Sequence, residues 1–161
     1  NYQLTVVEGG NTYTANGFMP NPIAIDSILQ FTTPGFFGGG PSEILELHYE
    51  DPFAETNFYR LKVWDGPNRL EDFYFWDDQF FNGEIVDFPL FAYDWKANDT
   101  AVIQLISMDE ASNDYFEVLA EGQGDGGGFA TTPGNPISNI QGGAIGVFGA
   151  YASDLDTVII D

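Results

Sequence analysis

The sequence has no cysteine and few cations: 4 Lys plus Arg stand against 25 Asp plus Glu over 161 residues, for a formal net charge of −21. Without cysteine there is no disulfide framework, no thiolate zinc site and no cysteine nucleophile. Exported bacterial proteins often lack it too, so the compartment stays open. The shortage of Lys and Arg argues against nucleic acid, whose phosphates need clustered positive charge. It argues equally against direct attraction to an anionic bilayer. No stretch approaches ~18 consecutive apolar residues, the length that a membrane-spanning helix needs. Familiar nucleophile and phosphate motifs are missing as well, with no G-x-S-x-G, S-x-x-K, H-E-x-x-H or P-loop. Gly124-Asp125-Gly126-Gly127-Gly128 has the glycines of a phosphate cradle but neither its Lys nor a helix start behind it.

Apolar material is plentiful. With 43% hydrophobic and 16% aromatic residues, the chain has core enough for one domain and is not disordered throughout. It opens at Asn1-Tyr2-Gln3-Leu4, already alternating as a strand does and without an initiator Met or signal peptide. It therefore reads as a mature fragment or a trimmed chain.

Strand patterns dominate. Residues 2–7 and 12–18 flank Gly9-Gly10, whose glycines suit a tight hairpin. A third strand is expected over 23–31, followed by a loop that carries Phe36 and Phe37. Residues 44–50 place Leu45, Leu47 and Tyr49 on one face, with Glu46, His48 and Glu50 on the other. Residues 57–64 repeat this, with Tyr59, Leu61 and Val63 opposite Arg60, Lys62 and Trp64. Further strands are expected over 73–76, 85–91 and 101–107, with 93–100 as a polar link. Ser107-Met108-Asp109-Glu110 reads as a capping box opening a helix over about 108–121, which Gly122 closes. A glycine-rich loop over 122–134 and two strands, about 143–152 and 157–160, complete the chain. The predicted fold is mainly β: an antiparallel sandwich or flattened barrel with one helix.

Several residue groups carry candidate chemistry, each with a plainer alternative. His48 is the only histidine, and a solvent-facing strand histidine explains it better than a dyad or metal site. Carboxylate pairs such as Glu50-Asp51 and Asp77-Asp78 are so common among 25 acids that proximity in sequence says little about glycoside hydrolysis. Calcium is the one candidate cofactor, with Asp77 and Asp78 near Asn82, and Asp94 and Asp99, as its candidate ligands. Neither loop follows the spaced D-x-[DN]-x-[DN]-G pattern, and turn chemistry accounts for the same residues.

The aromatics are more informative. Phe73, Tyr74, Phe75 and Trp76 are consecutive, so strand alternation must turn two rings away from a simple core. Either those rings meet a partner or a sugar, or a second layer such as the helix covers them. Trp76, Phe80, Phe81 and Trp95 are the candidate ligand- or partner-binding residues. The four cations, Arg60, Lys62, Arg69 and Lys96, fall in one short window beside these rings.

Three ordered segments resemble one family. They are Asp51-Pro52 with Asn57-Phe58-Tyr59-Arg60; Asp77-Asp78-Gln79-Phe80-Phe81-Asn82-Gly83; and Asn139-Ile140-Gln141-Gly142-Gly143 with Gly146-Val147-Phe148-Gly149. The chain is similar there to exported Bacteroidota lipoproteins catalogued as domain of unknown function 4249, often encoded beside TonB-dependent outer-membrane transporters. The resemblance implies an upstream Ig-like domain and a lipid-anchored Cys, making this chain the C-terminal part of a longer protein. It implies no catalytic residues. Phe58 stands where the family often has Tyr.

The expectation is a non-enzymatic protein of the outer membrane or cell surface, working with a transporter or another surface protein and taking a glycan or peptide ligand. A carbohydrate-binding module and a structural subunit of a surface assembly are the alternatives; a hydrolase using paired carboxylates ranks last.

Overall fold

The computed structural model describes residues 1–34, 41–122 and 135–161, apart from the side chains of residues 71–73, 92, 94, 121 and 122. The loop rings Phe36 and Phe37 and the glycine run at 124–128 lie outside the described residues, as do the side chains of Phe73 and Asp94.

The strands are β1 (Tyr2–Glu8), β2 (Asn11–Gly17), β3 (Ser27–Thr33), β4 (Ser42–Glu50), β5 (Phe58–Asp65), β6 (Asn68–Asp77), β7 (Ile85–Trp95), β8 (Thr100–Met108) and β9 (Tyr151–Ile159). The helix α1 spans Glu110–Gly122. All pairings are antiparallel. β1 and β2 form a hairpin, β3-β4-β7 form a three-stranded sheet, and β6-β5-β8-β9 form a four-stranded sheet.

The alternation read from the sequence builds the core. Leu45, Leu47 and Tyr49 of β4 and Leu90 of β7 face Tyr59, Leu61 and Val63 of β5 and Ala101, Ile103 and Leu105 of β8. Each fully buried leucine or isoleucine contributes on the order of 2 kcal/mol through its removal from water. The two sheets pack face to face and, among the described residues, no strand joins one to the other, so the fold is a sandwich rather than a barrel.

Four expectations change. The third strand starts at Ser27, because residues 18–26 cross from the hairpin to the sandwich; Ile23 is buried on the way, and Ile25 N–H donates to Asp154 Oδ2 at 2.9 Å. The polar link at 93–100 shrinks to four residues, since β7 runs to Trp95 and ends in a turn where Asp99 Oδ2 accepts from Lys96 N–H at 2.7 Å. Of the two expected closing strands, residues 143–150 are loop, and a single strand, β9, spans Tyr151–Ile159. The capping box gives way to a single-residue cap. Asp109 Oδ1 accepts from Ser112 N–H at 3.0 Å, while Ser107 is a buried β8 residue.

Candidate functional site

Two of the three motif segments meet at one end of the sandwich. Asp51, the residue just after β4, is almost fully buried. Its carboxylate accepts from the Tyr59 hydroxyl and, at 2.8 Å, from Gly83 N–H. Asp78, equally buried, accepts from Asn57 N–H at 2.9 Å, and its own N–H donates to Asn57 O at 3.1 Å. The Trp76 Nε1–H donates to the Tyr49 hydroxyl at 2.8 Å, and the Trp76 ring stacks on Phe88 at 4.6 Å. This knot ties β4 and β7 of one sheet to β5 and β6 of the other. Burial, and then the bond to Asp51, push the Tyr59 hydroxyl far above the ordinary tyrosine pKa; burial does the same to Tyr49. Both tyrosines therefore stay neutral, Tyr59 as a donor to Asp51 and Tyr49 as the acceptor of the Trp76 bond.

The third segment is a clasp. Asn139 donates through Nδ2 to Phe148 O at 2.8 Å and accepts at Oδ1 from Phe148 N–H at 2.9 Å, closing residues 139–148 into a loop. Gln141 exchanges two backbone hydrogen bonds with Thr14 of β2. Gly142 adopts φ +99°, and a Cβ there would come within 2.7 Å of Thr12 O. Gly149 lies so close to the start of α1 that a Cβ would overlap Ser112 Oγ. The clasp thus holds the β1–β2 hairpin beside the sandwich, and Phe18 N–H donates to Asp109 Oδ2 at 3.1 Å. Between hairpin, helix start and the loop after β4 lies a cleft of about 760 Å³, lined among others by Tyr2, Asn16, Phe18, Asn57, Asp109 and Glu110.

The proposed aromatic site divides. Trp95 is 4% exposed and belongs to the core, so burial removes it from any binding surface. Trp76 and Phe81 pack partly buried against that core, with Phe81 tilted over Tyr59. Phe80 alone of the four stands out in solvent, at 89% exposure. The sequence reading missed its companions. Phe53 is 81% exposed on the loop after β4 and packs against Gly83. Outward positions of β7 expose Ile85 and Phe91, at 71% and 63%, and β3 exposes Leu29 and Phe31. Exposed apolar residues alternating with buried ones are legible only once the two-faced burial of the strand is known.

Of the consecutive rings, Tyr74 and Trp76 face the core, and Phe75 stacks on Phe116 of α1 at 5.7 Å with the Arg60 guanidinium beside both rings. The helix is the second layer over that face.

The calcium candidates serve backbone geometry. Asp77 Oδ1 accepts from Gln79 N–H at 3.2 Å, and Asp78 and Asp99 accept as described above. Among the described residues no three acidic or histidine side chains converge as a metal site would require. His48 Nδ1 lies 2.7 Å from Asp87 Oδ1 and Nε2 3.0 Å from Glu46 Oε1, on the outward face of the three-stranded sheet. Ser27 pairs across from His48, but both ring nitrogens face carboxylates, so neither is directed at the hydroxyl as a base.

The sequence profile of the family described as "Domain of unknown function (DUF4249)" matches residues 1–156. The chain belongs to this family. No curated protein and no solved structure matches it. The segments that carry the resemblance are, as they stand here, the knot and the clasp, and both do architectural work: they set the sheets and the hairpin in place.

Proposed function

We propose that this chain is a non-enzymatic accessory or binding protein of the cell surface that works with an outer-membrane TonB-dependent transporter. The observation that carries the reading is the apolar surface of β7 and the adjoining loops: Phe91, Ile85, Phe53 and Phe80 stand exposed. The loops beneath Phe53 and Phe80 are held by the buried carboxylates of Asp51 and Asp78. Apolar side chains carried on backbone that is already held have the character of interface anchors. Their backbone is preorganised, and no cofactor is needed for such a role. A lipid anchor on a preceding segment would hold the protein at the outer membrane.

The test is affinity purification from native membranes with the anchored protein. Co-purification of an outer-membrane transporter, lost when Phe80 and Phe91 are both replaced by Ser, is the expected result. Recovery of the protein alone, or an undiminished complex with the double variant, would overturn it.

A carbohydrate-binding reading draws on the cleft, which Tyr2 and Phe18 line together with the exposed Asn16. Rings beside amide groups suit a neutral sugar, and Asp109 and Glu110 disfavour an acidic one. Saturable calorimetric binding of a neutral oligosaccharide, weakened by Phe18→Ala, supports it; a flat titration across a panel of neutral glycans removes it.

A further inference from the structure

We propose that the seam between α1 and the outward face of the four-stranded sheet binds a small organic carboxylate. In a chain of net charge −21, three of the four cations gather on β5 and β6: Arg60, Lys62 and Arg69. They lie near enough to repel one another. Burial and then its two cationic neighbours lower the Lys62 pKa, and burial followed by Arg69 lowers that of Arg60. Among the described residues no carboxylate lies within ion-pairing distance of Lys62 or Arg69.

Beside them opens a pocket of about 190 Å³, lined by Arg60 and Lys62 together with Ile106, Ser112, Phe116 and Tyr151. The Lys62 ammonium stands 5.7 Å from the Tyr151 ring centroid, and the Arg60 guanidinium 4.7 Å from that of Phe116. Positive charge set directly beside apolar walls matches an amphipathic acid: carboxylate towards Lys62, hydrocarbon or ring body against Ile106 and the edge of Phe116. An inorganic anion would leave the apolar wall unused, and a neutral ligand would leave the partly desolvated ammonium uncompensated. The chain's overall negative charge does not prevent this. At physiological ionic strength fields are screened over roughly 8 Å, so the local cations decide.

Sodium benzoate is the probe, titrated at constant ionic strength into the whole chain and followed by amide chemical shifts and calorimetry. The expected result is saturable binding, with shifts centred on Lys62, Ser112 and Tyr151. Benzyl alcohol and acetate should bind at least about tenfold more weakly, because each lacks one half of the match. Lys62→Gln should cost a similar factor, about tenfold, while Lys62→Arg retains binding. Equal binding of benzyl alcohol would make the pocket a mere apolar void. Equal shifts with acetate and chloride would mean an adventitious ion only. No saturation with benzoate, or unchanged affinity in a folded Lys62→Gln protein, would overturn the proposal.

Discussion

On the three-stranded sheet, the outward positions of β7 carry Ile85, Asp87, Pro89 and Phe91, of which Ile85 and Phe91 stand well out in solvent. On the four-stranded sheet, the outward ring of Phe75 meets Phe116 of α1, with Arg60 held beside them. Both faces arise from the same two-residue alternation, and both oppose an inward face of leucine, isoleucine, valine and tyrosine. Among the described residues only one of them is covered. The covered face has the cations, which can sit over rings and along apolar walls. The open face keeps apolar side chains beside His48 and its two carboxylates. Net charge is therefore a poor guide to either surface: the acidity is an average over regions of opposite character.

The largest effect should come from the knot that orients both faces. Asp51→Ala strips the Tyr59 hydroxyl and Gly83 N–H of their partner in a buried site, and should cost about 3 kcal/mol in urea unfolding. A cost below about 1 kcal/mol would mean that the two sheets are set without the knot.

The covered and open faces should then separate cleanly. Phe116→Ala removes the ring stacked on Phe75 and should cost about 2 kcal/mol, less than a fully buried Phe because its site is partly open. Phe91→Ala should change stability by no more than about 0.5 kcal/mol, since that ring is already in water. Equal costs would dissolve the distinction between the faces.

Alkaline unfolding probes the interior that both faces share. Tyr49 and Tyr59 titrate above the ordinary value of 10.0 in the folded protein. Once pH passes the unfolded tyrosine pKa, the unfolded chain releases protons that the folded chain retains, so stability declines with rising pH. Below that point these two groups contribute no slope. Stability measured across that pH should fall, and the fall should be shallower in Tyr59→Phe.

The smallest effect concerns the cations. Arg69→Gln relieves the repulsion felt by Arg60 and Lys62, and should stabilise by about 0.3 kcal/mol at low salt. At 1 M salt, where the screening length is about 3 Å, the gain should vanish. A gain that persists there would place its origin in packing.

How far the sequence could be read depended on the range of the interactions. The β4 and β5 alternation, the Gly9-Gly10 hairpin and the helix were legible because each is a local pattern of side-chain spacing. The position of the helix cap was missed, since Ser107 and Asp109 are both competent caps and only the end of β8 decides between them. The aromatic site was legible as a cluster but not as a surface. Trp95 and Phe80 are both rings near turns, and their opposite burial follows from where β7 and the loop after β6 sit against the core.

The sequence alone determined the β-rich class, the inward faces of β4 and β5, and the single helix, because period-two and period-3.6 burial are written in consecutive residues. Its ordered motif segments also marked the family. Only the tertiary structure decided that Asp51, Asn57, Tyr59, Asp78 and Gly83 form one buried knot, that Asn139 clasps Phe148, and that Arg60 and Lys62 line one pocket beside the helix. The physical reason is that buried hydrogen bonds and desolvated charges depend on which strands are neighbours. That pairing is set by packing between sheets and not by any local stretch of chain.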